Sequence, residues 1–155
     1  MTRGVIIDHP TAFTMAEMGG GSVYGTLAHH NLYQGGDIGN DSAMLLHSCG
    51  HANSENKSAE VSCGDMIGTS GIYEGGLSDA MDLVDEDLVD PENFKFFFNY
   101  VEFSDMELEA MLTATDSDGD AWASMEVPTS IILNNDFDRG EGWSYLRNQI
   151  RKLTA

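Results

Sequence analysis

Basic residues are what this chain has least of. Seven lysines and arginines stand against 26 aspartates and glutamates in 155 residues, a formal net charge of −19. Contact with a nucleic-acid backbone relies on stripes of Lys and Arg that displace counterions. The one cationic group is Arg147, Arg151 and Lys152 near the C-terminus, where a helix end favours positive charge on its own account. The composition argues against direct nucleic-acid binding; the acidity reads first as a solvated surface, with docking on a basic partner as the alternative. Cysteine is scarce too. Cys49 and Cys63 make no disulfide scaffold and read as free thiols of a reducing compartment. No apolar run nears the ~18–20 residues of a membrane helix. The opening Val5-Ile-Ile7 falls short of the ~7–15 apolar residues of a secretory leader. The location expected is intracellular and cytoplasmic, or an organelle if a targeting peptide precedes this stretch.

A hydrophobic content of 41% with mean hydropathy −0.24 is that of an ordinary globular protein. The length fits a single domain, 1–155, able to bury roughly 70% of its unfolded surface. Val5-Ile-Ile7 reads as a strand stopped by Asp8-His9-Pro10, and 14–18 as a helical turn. Leu32-Tyr33 and Met44-Leu-Leu46 read as strands joined in a hairpin through 35–42. The polar stretch His51–Glu60 reads as a mobile loop. Leu77, Ala80, Met81, Val84 and Leu88 recur at helical spacing behind Ser78 as N-cap. Ser104-Asp-Met-Glu107 is a capping box opening a helix that should bury Leu108, Met111 and Leu112. Trp143, Leu146, Ile150 and Leu153 form the stripe of a last helix. The run Phe94-Lys-Phe-Phe-Phe-Asn-Tyr-Val-Glu-Phe103 has large side chains on both alternating faces, as a central strand covered on both sides requires. Ala121–Val127 reads as a further strand. Irregular interleaving of these elements indicates α+β rather than a doubly wound α/β sheet.

Two runs share the pattern Tyr-x-Gly-Gly, at Tyr33–Gly36 and Tyr73–Gly76. The first leads into Leu45-Leu-His-Ser48. With Gly4-Val-Ile-Ile-Asp-His-Pro-Thr11, Met15-Ala-Glu17, the Phe94–Tyr100 run, Leu108-Glu109 and Ala121-Trp122, they form an ordered set that resembles the YqgE/AlgH family over nearly the whole chain. The family pattern has Asn-Arg where Asp8-His9 stands, proline at Asp37, and x-Gly-Trp at Val101-Glu-Phe103. It also has strand-forming segments ahead of this start, so the chain is expected to lack them. The resemblance implies a mixed sheet curled into a partly open barrel with three to four flanking helices. The family's molecular function is not established, although it is associated with transcriptional regulation.

Candidate chemistry is thin. His47, Cys49 and His51 would share one face of an extended strand, with Cys63 as a fourth ligand, but the spacing matches no standard zinc pattern. A Cys/His nucleophile lacks a group to orient the histidine. Aligning Gly119 with the sixth position of a calcium loop puts Ala114 and Met125 where acidic ligands belong, so Asp116–Asp120 fails as an EF-hand. The glycine pairs lack the Gly-Lys-Ser/Thr or Gly-x-x-Gly sequel of a phosphate loop; turning the chain or close backbone approach suffices for them. His9 cannot grip an anion bidentately as the family arginine could.

The reading is a non-enzymatic regulatory or interaction domain that needs no metal or cofactor and binds a small ligand or a protein. The ligand-binding candidates are Asp8, His9, Thr11, Gly35, Gly36, His47 and Ser48, polar or glycine positions at strand ends. Two alternatives stand beside it. One is a hydrolase or metal-dependent enzyme using His47, Cys49 or His9. The other is an acidic module docking on a basic protein.

Overall fold

The computed structural model describes residues 1–18, 21–50, 61, 64–113, 122 and 124–154. Seven strands form one open, mixed sheet: β1 (Thr2–Gly4), β2 (Pro10–Thr14), β3 (Asn31–Gln34), β4 (Ile38–His47), β5 (Asp65–Ile67), β6 (Ile72–Glu74) and β7 (Phe94–Phe103). Their order is β2-β3-β7-β4-β6-β5, and β1 pairs with the far end of β7. The helices are α1 (Met15–Met18), α2 (Leu77–Asp85), α3 (Asp105–Thr113), α4 (Thr129–Ile132) and α5 (Glu141–Thr154). None among the described residues is long and apolar enough to cross a membrane. The α+β class and the unclosed mixed sheet are those expected from the sequence.

The aromatic run is the centre of the sheet. β7 lies parallel to β3 (Leu32 opposite Phe96) and antiparallel to β4 (Leu45 opposite Phe96). Phe94, Phe96 and Phe97 are buried. Their alternation builds two cores. Phe94, Phe96, Leu32 and Leu45 pack beneath α2 and the 3-10 turn Gly25–His29. Tyr33, Leu46, Ile72 and Phe97 pack beneath Val5, Ile7, Ile131–Leu133 and Phe137. We call these the helical face and the terminal face.

Several expectations are corrected. β3 and β4 form no hairpin, because β7 inserts between them; Leu32–Gln34 gains a parallel partner, which local turn chemistry cannot reveal. The first strand is Thr2–Gly4, while Val5 and Ile7 are packing residues of the segment after it. α2 is entered from Gly76, not Ser78, and ends before Leu88, which is exposed. The Ser104/Glu107 capping box forms in both directions, at 2.8 and 3.1 Å. Yet α3 buries nothing: Leu108 and Met111 are half-buried and Leu112 exposed. The α5 stripe is likewise open, with Trp143 and Leu153 exposed. Trp122 and 124–127 are not strand; Ala121, the 51–60 stretch, Cys63 and Asp116–Asp120 lie outside the described residues.

Candidate functional site

Of the seven sequence-nominated residues, Ser48 lines one of three cavities, and the fold itself uses most of the others' polar groups. Asp8 is buried. Its Oδ2 accepts the N–H of Trp143 at 2.9 Å, and its carbonyl accepts the N–H of Gly140 at 3.2 Å. It therefore caps the N-terminus of α5 from a distant point in the sequence. The His9 carbonyl accepts from Gln34 N–H at 2.7 Å, and Thr11 Oγ1 donates to the Leu32 carbonyl at 2.7 Å. These bonds hold the β2 region to β3.

The two glycine pairs do different work. A Cβ at Gly36 would lie 2.1 Å from the Tyr100 backbone, and one at Gly35 would lie 2.5 Å from the Asn99 carbonyl. Only glycine lets the chain leave β3 this close to β7. Gly75 and Gly76 instead have φ of 93° and 75° and turn the chain out of β6 into α2.

His47 is fully buried, stacked on Tyr73 with 5.7 Å between ring centroids. Its Nδ1 accepts the Cys49 main-chain N–H at 3.1 Å. The proton is thereby assigned to Nε2, which donates to the Gly75 carbonyl at 3.1 Å. Burial lowers its pKa below the ordinary histidine value, against the opposing effect of the Gly75 bond. Cys49 is a buried free thiol whose pKa burial raises. The histidine thus engages the Cys49 backbone rather than its sulfur, and both ring nitrogens are occupied. Among the described residues no three His, Cys, Asp or Glu side chains converge on a metal position. Ser48 lines a polar cavity of about 180 Å³ with Asn93, Ser130 and Asn135. The Asn135 Oδ1 there is buried with no hydrogen-bond partner among the described residues.

Sequence reasoning missed two features. The first is Lys95, fully buried at the centre of β7. Its Nζ donates to the carbonyls of Ile7 and Ile132 and lies over the Tyr33 ring. The signal was present: one lysine among the phenylalanines of a central strand must find partners inside. The second is a cavity of about 590 Å³ on the helical face, beside the outer edge of β4. Leu32, Leu45, Phe96, Phe98 and Val23 form its apolar lining, Met15 and Met18 bring adaptable side chains, and Asp41 and Ser22 add polar groups. Volume and lining are those of a small-molecule or side-chain site. No local pattern announces it, because its walls come from five separate stretches of chain.

Backbone irregularity shapes its rim. β4 is bulged between Ile38 and Ala43, with Asn40 and Asp41 at φ of 53° and 61°. Asn99 of β7, itself at φ 60°, holds the bulge by accepting the Asp41 N–H at 2.9 Å. Left-handed non-glycine residues are held only where surroundings over-determine them. Here the result is to bring Asp41 into the cavity lining.

An open mixed sheet with a helical layer over one face and an apolar cavity beside its central strands defines an α+β fold. The AlgH-like family model matches residues 1–150, and the chain belongs to that family. It is also similar to the solution structure of the AlgH protein from Pseudomonas aeruginosa, with TM-score 0.60 and 20% identity over 96% of this chain and 71% of that one. That likeness is one of fold. No curated protein matches the sequence.

Proposed function

We propose that the chain is a non-enzymatic regulatory or interaction domain that binds through the 590 Å³ cavity beside β4. The observation that carries the reading is the cavity itself: Leu32, Leu45, Phe96 and Phe98 of the central strands with Met15, Met18 and Met44, and Ser22, Asp41 and Glu74 as its polar side chains. His47 and Cys49 add no nucleophile to it, since one is bonded to main chain and the other is a buried thiol with raised pKa. The ligand is a small apolar molecule or the side chains of a protein. With a net charge of −19, nucleic acid is not its direct partner. A free buried thiol at Cys49 fits a cytoplasmic setting.

Titration with the neutral apolar dye Nile red tests the site. Ala43 lines the cavity, and Ala43→Trp should fill it. Dye fluorescence should rise with the wild-type chain and fall at least fivefold with the variant at unchanged thermal midpoint. An equal signal from both would move the site elsewhere.

A further inference from the structure

Among the described residues, β4 is paired along one side and largely open along the other. β7 accompanies it from Ile38 to His47, whereas β6 meets it only at Leu46 and His47. β6 leaves at the Gly75–Gly76 turn, and its last main-chain bond runs from Gly75 N–H to the Leu45 carbonyl, 2.9 Å. Main-chain groups of successive residues face opposite edges of a strand, so residues two apart share an edge. Ala43, two positions before Leu45, therefore turns its N–H and C=O to the outer edge. No described strand pairs with it there, and residues 40–43 are exposed.

A cavity flanks this edge on each face. The 590 Å³ cavity lies on the helical face with Ala43 and Leu45; a second, of about 320 Å³, lies on the terminal face with Leu46, Ile72, Tyr100 and Ile132. Met44 and Glu74 line both. An extended segment laid along β4 would send successive side chains to opposite faces. Its main chain would bond Ala43 while neighbouring side chains entered one cavity and then the other. Strand addition to a free edge works in this way, with alternate pockets supplying specificity.

We propose that the Ser42–Met44 edge of β4 accepts an extended segment of a basic partner protein as an added strand. That segment would carry a short run of consecutive apolar residues flanked by Lys or Arg. The inference rests on the binding-domain reading above and names its partner. Charge selects the occupant. Asp41 and Glu74 stand beside the edge. Arg3, the one basic residue lining either cavity among the described residues, is paired with Glu102 at 3.5 Å and lies 4.5 Å over Tyr100. A second copy added antiparallel would bring the same acids face to face between chains of −19 each. The Asn40–Asp41 bulge also cuts the edge short, which protects against extended self-pairing while leaving room for a short segment.

The test is selection of random decapeptides displayed on phage against the full chain, followed by titration of the synthetic consensus. Consensus peptides should contain three or four successive apolar residues with flanking Lys or Arg. Affinity should fall at least tenfold with Ala43→Pro, which removes the outward N–H, and with Ala43→Trp. Peptides N-methylated at alternate central residues should lose binding to the unaltered chain, an outcome independent of how the variants fold. Binding insensitive to N-methylation, or a consensus without the apolar run and basic flanks, overturns the inference. Nile red binding that Ala43→Trp still abolishes would then leave the binding-domain reading standing; loss of that as well would remove both. A dimer in sedimentation that Ala43→Pro dissolves would assign the edge to a second copy and overturn the basic partner.

Discussion

The ammonium of Lys95 lies 3.9 Å from the centroid of the Tyr33 ring, with the rings of Phe97 and Phe137 at 5.2 and 5.7 Å. It ties three parts of the chain together, since its donors reach Ile7 before β2 and Ile132 at the end of α4. Among the described residues no carboxylate forms an ion pair with it. Burial pulls its pKa down to about 7, against the opposing influence of Asp8.

The sign of the resulting pH dependence follows directly. Between about 7 and the ordinary 10.5 the unfolded chain takes a proton that the folded chain does not. Stability should therefore rise with pH across that window, by up to about 1.4 kcal/mol per pH unit from this group. Urea melts from pH 6 to 10 should show the rise in the wild-type chain and a flattened profile in Lys95→Met. Parallel profiles would mean that Lys95 does not titrate in this range.

Tyr33 works in the opposite direction at higher pH. Its hydroxyl donates to the Phe137 carbonyl at 2.7 Å. Burial, with the carboxylates of Asp136, Asp138, Glu141 and Asp8, pushes its pKa up to about 12. The unfolded tyrosine loses its proton first, so stability should fall above about pH 10. Tyr33→Phe should cost about 1–3 kcal/mol by leaving a buried carbonyl unpaired, and should abolish that part of the alkaline decline. Equal wild-type and variant melts would contradict this.

His47 predicts the acid side. Its pKa is lowered, so the unfolded chain gains a proton first as pH falls below about 6.5. Protonating Nδ1 also breaks the bond from Cys49 N–H. Stability should decline through this range, and a histidine chemical-shift titration should show His47 still neutral where exposed histidines are charged. His47 charging together with them would contradict its burial.

Asp8 separates folding from binding. As the cap of α5 it should cost about 0.5–2 kcal/mol on replacement by Ala. Calorimetry should show that loss, with Nile red affinity unchanged within twofold. A selective loss of binding at unchanged stability would return Asp8 to the ligand site.

The parts of the fold that were legible in the sequence are those with local causes. The Phe94–Phe103 strand declared itself by aromatic side chains on both faces, and the Ser104/Glu107 box by its spacing. The place of β7 between β3 and β4 was not legible, because parallel pairing of Leu32 with Phe96 depends on segments far apart. The site followed the same division. Asp8, His9, Thr11 and the glycines were noticed because they interrupt apolar runs, and interruption is what caps, turns and close approaches require. The cavity beside β4 went unnoticed because Leu32, Ala43, Leu77 and Phe98 form it only once the sheet has assembled.

The most direct measurement of the central claim is amide hydrogen exchange by NMR, residue by residue, with and without the selected basic peptide. The Ala43 N–H, which no described strand pairs at the β4 edge, should become the most strongly protected on binding, with smaller gains at Leu45 and Met44. Protection confined to Asp8–Thr11 and Gly35–Gly36, with Ala43 unchanged, would contradict it.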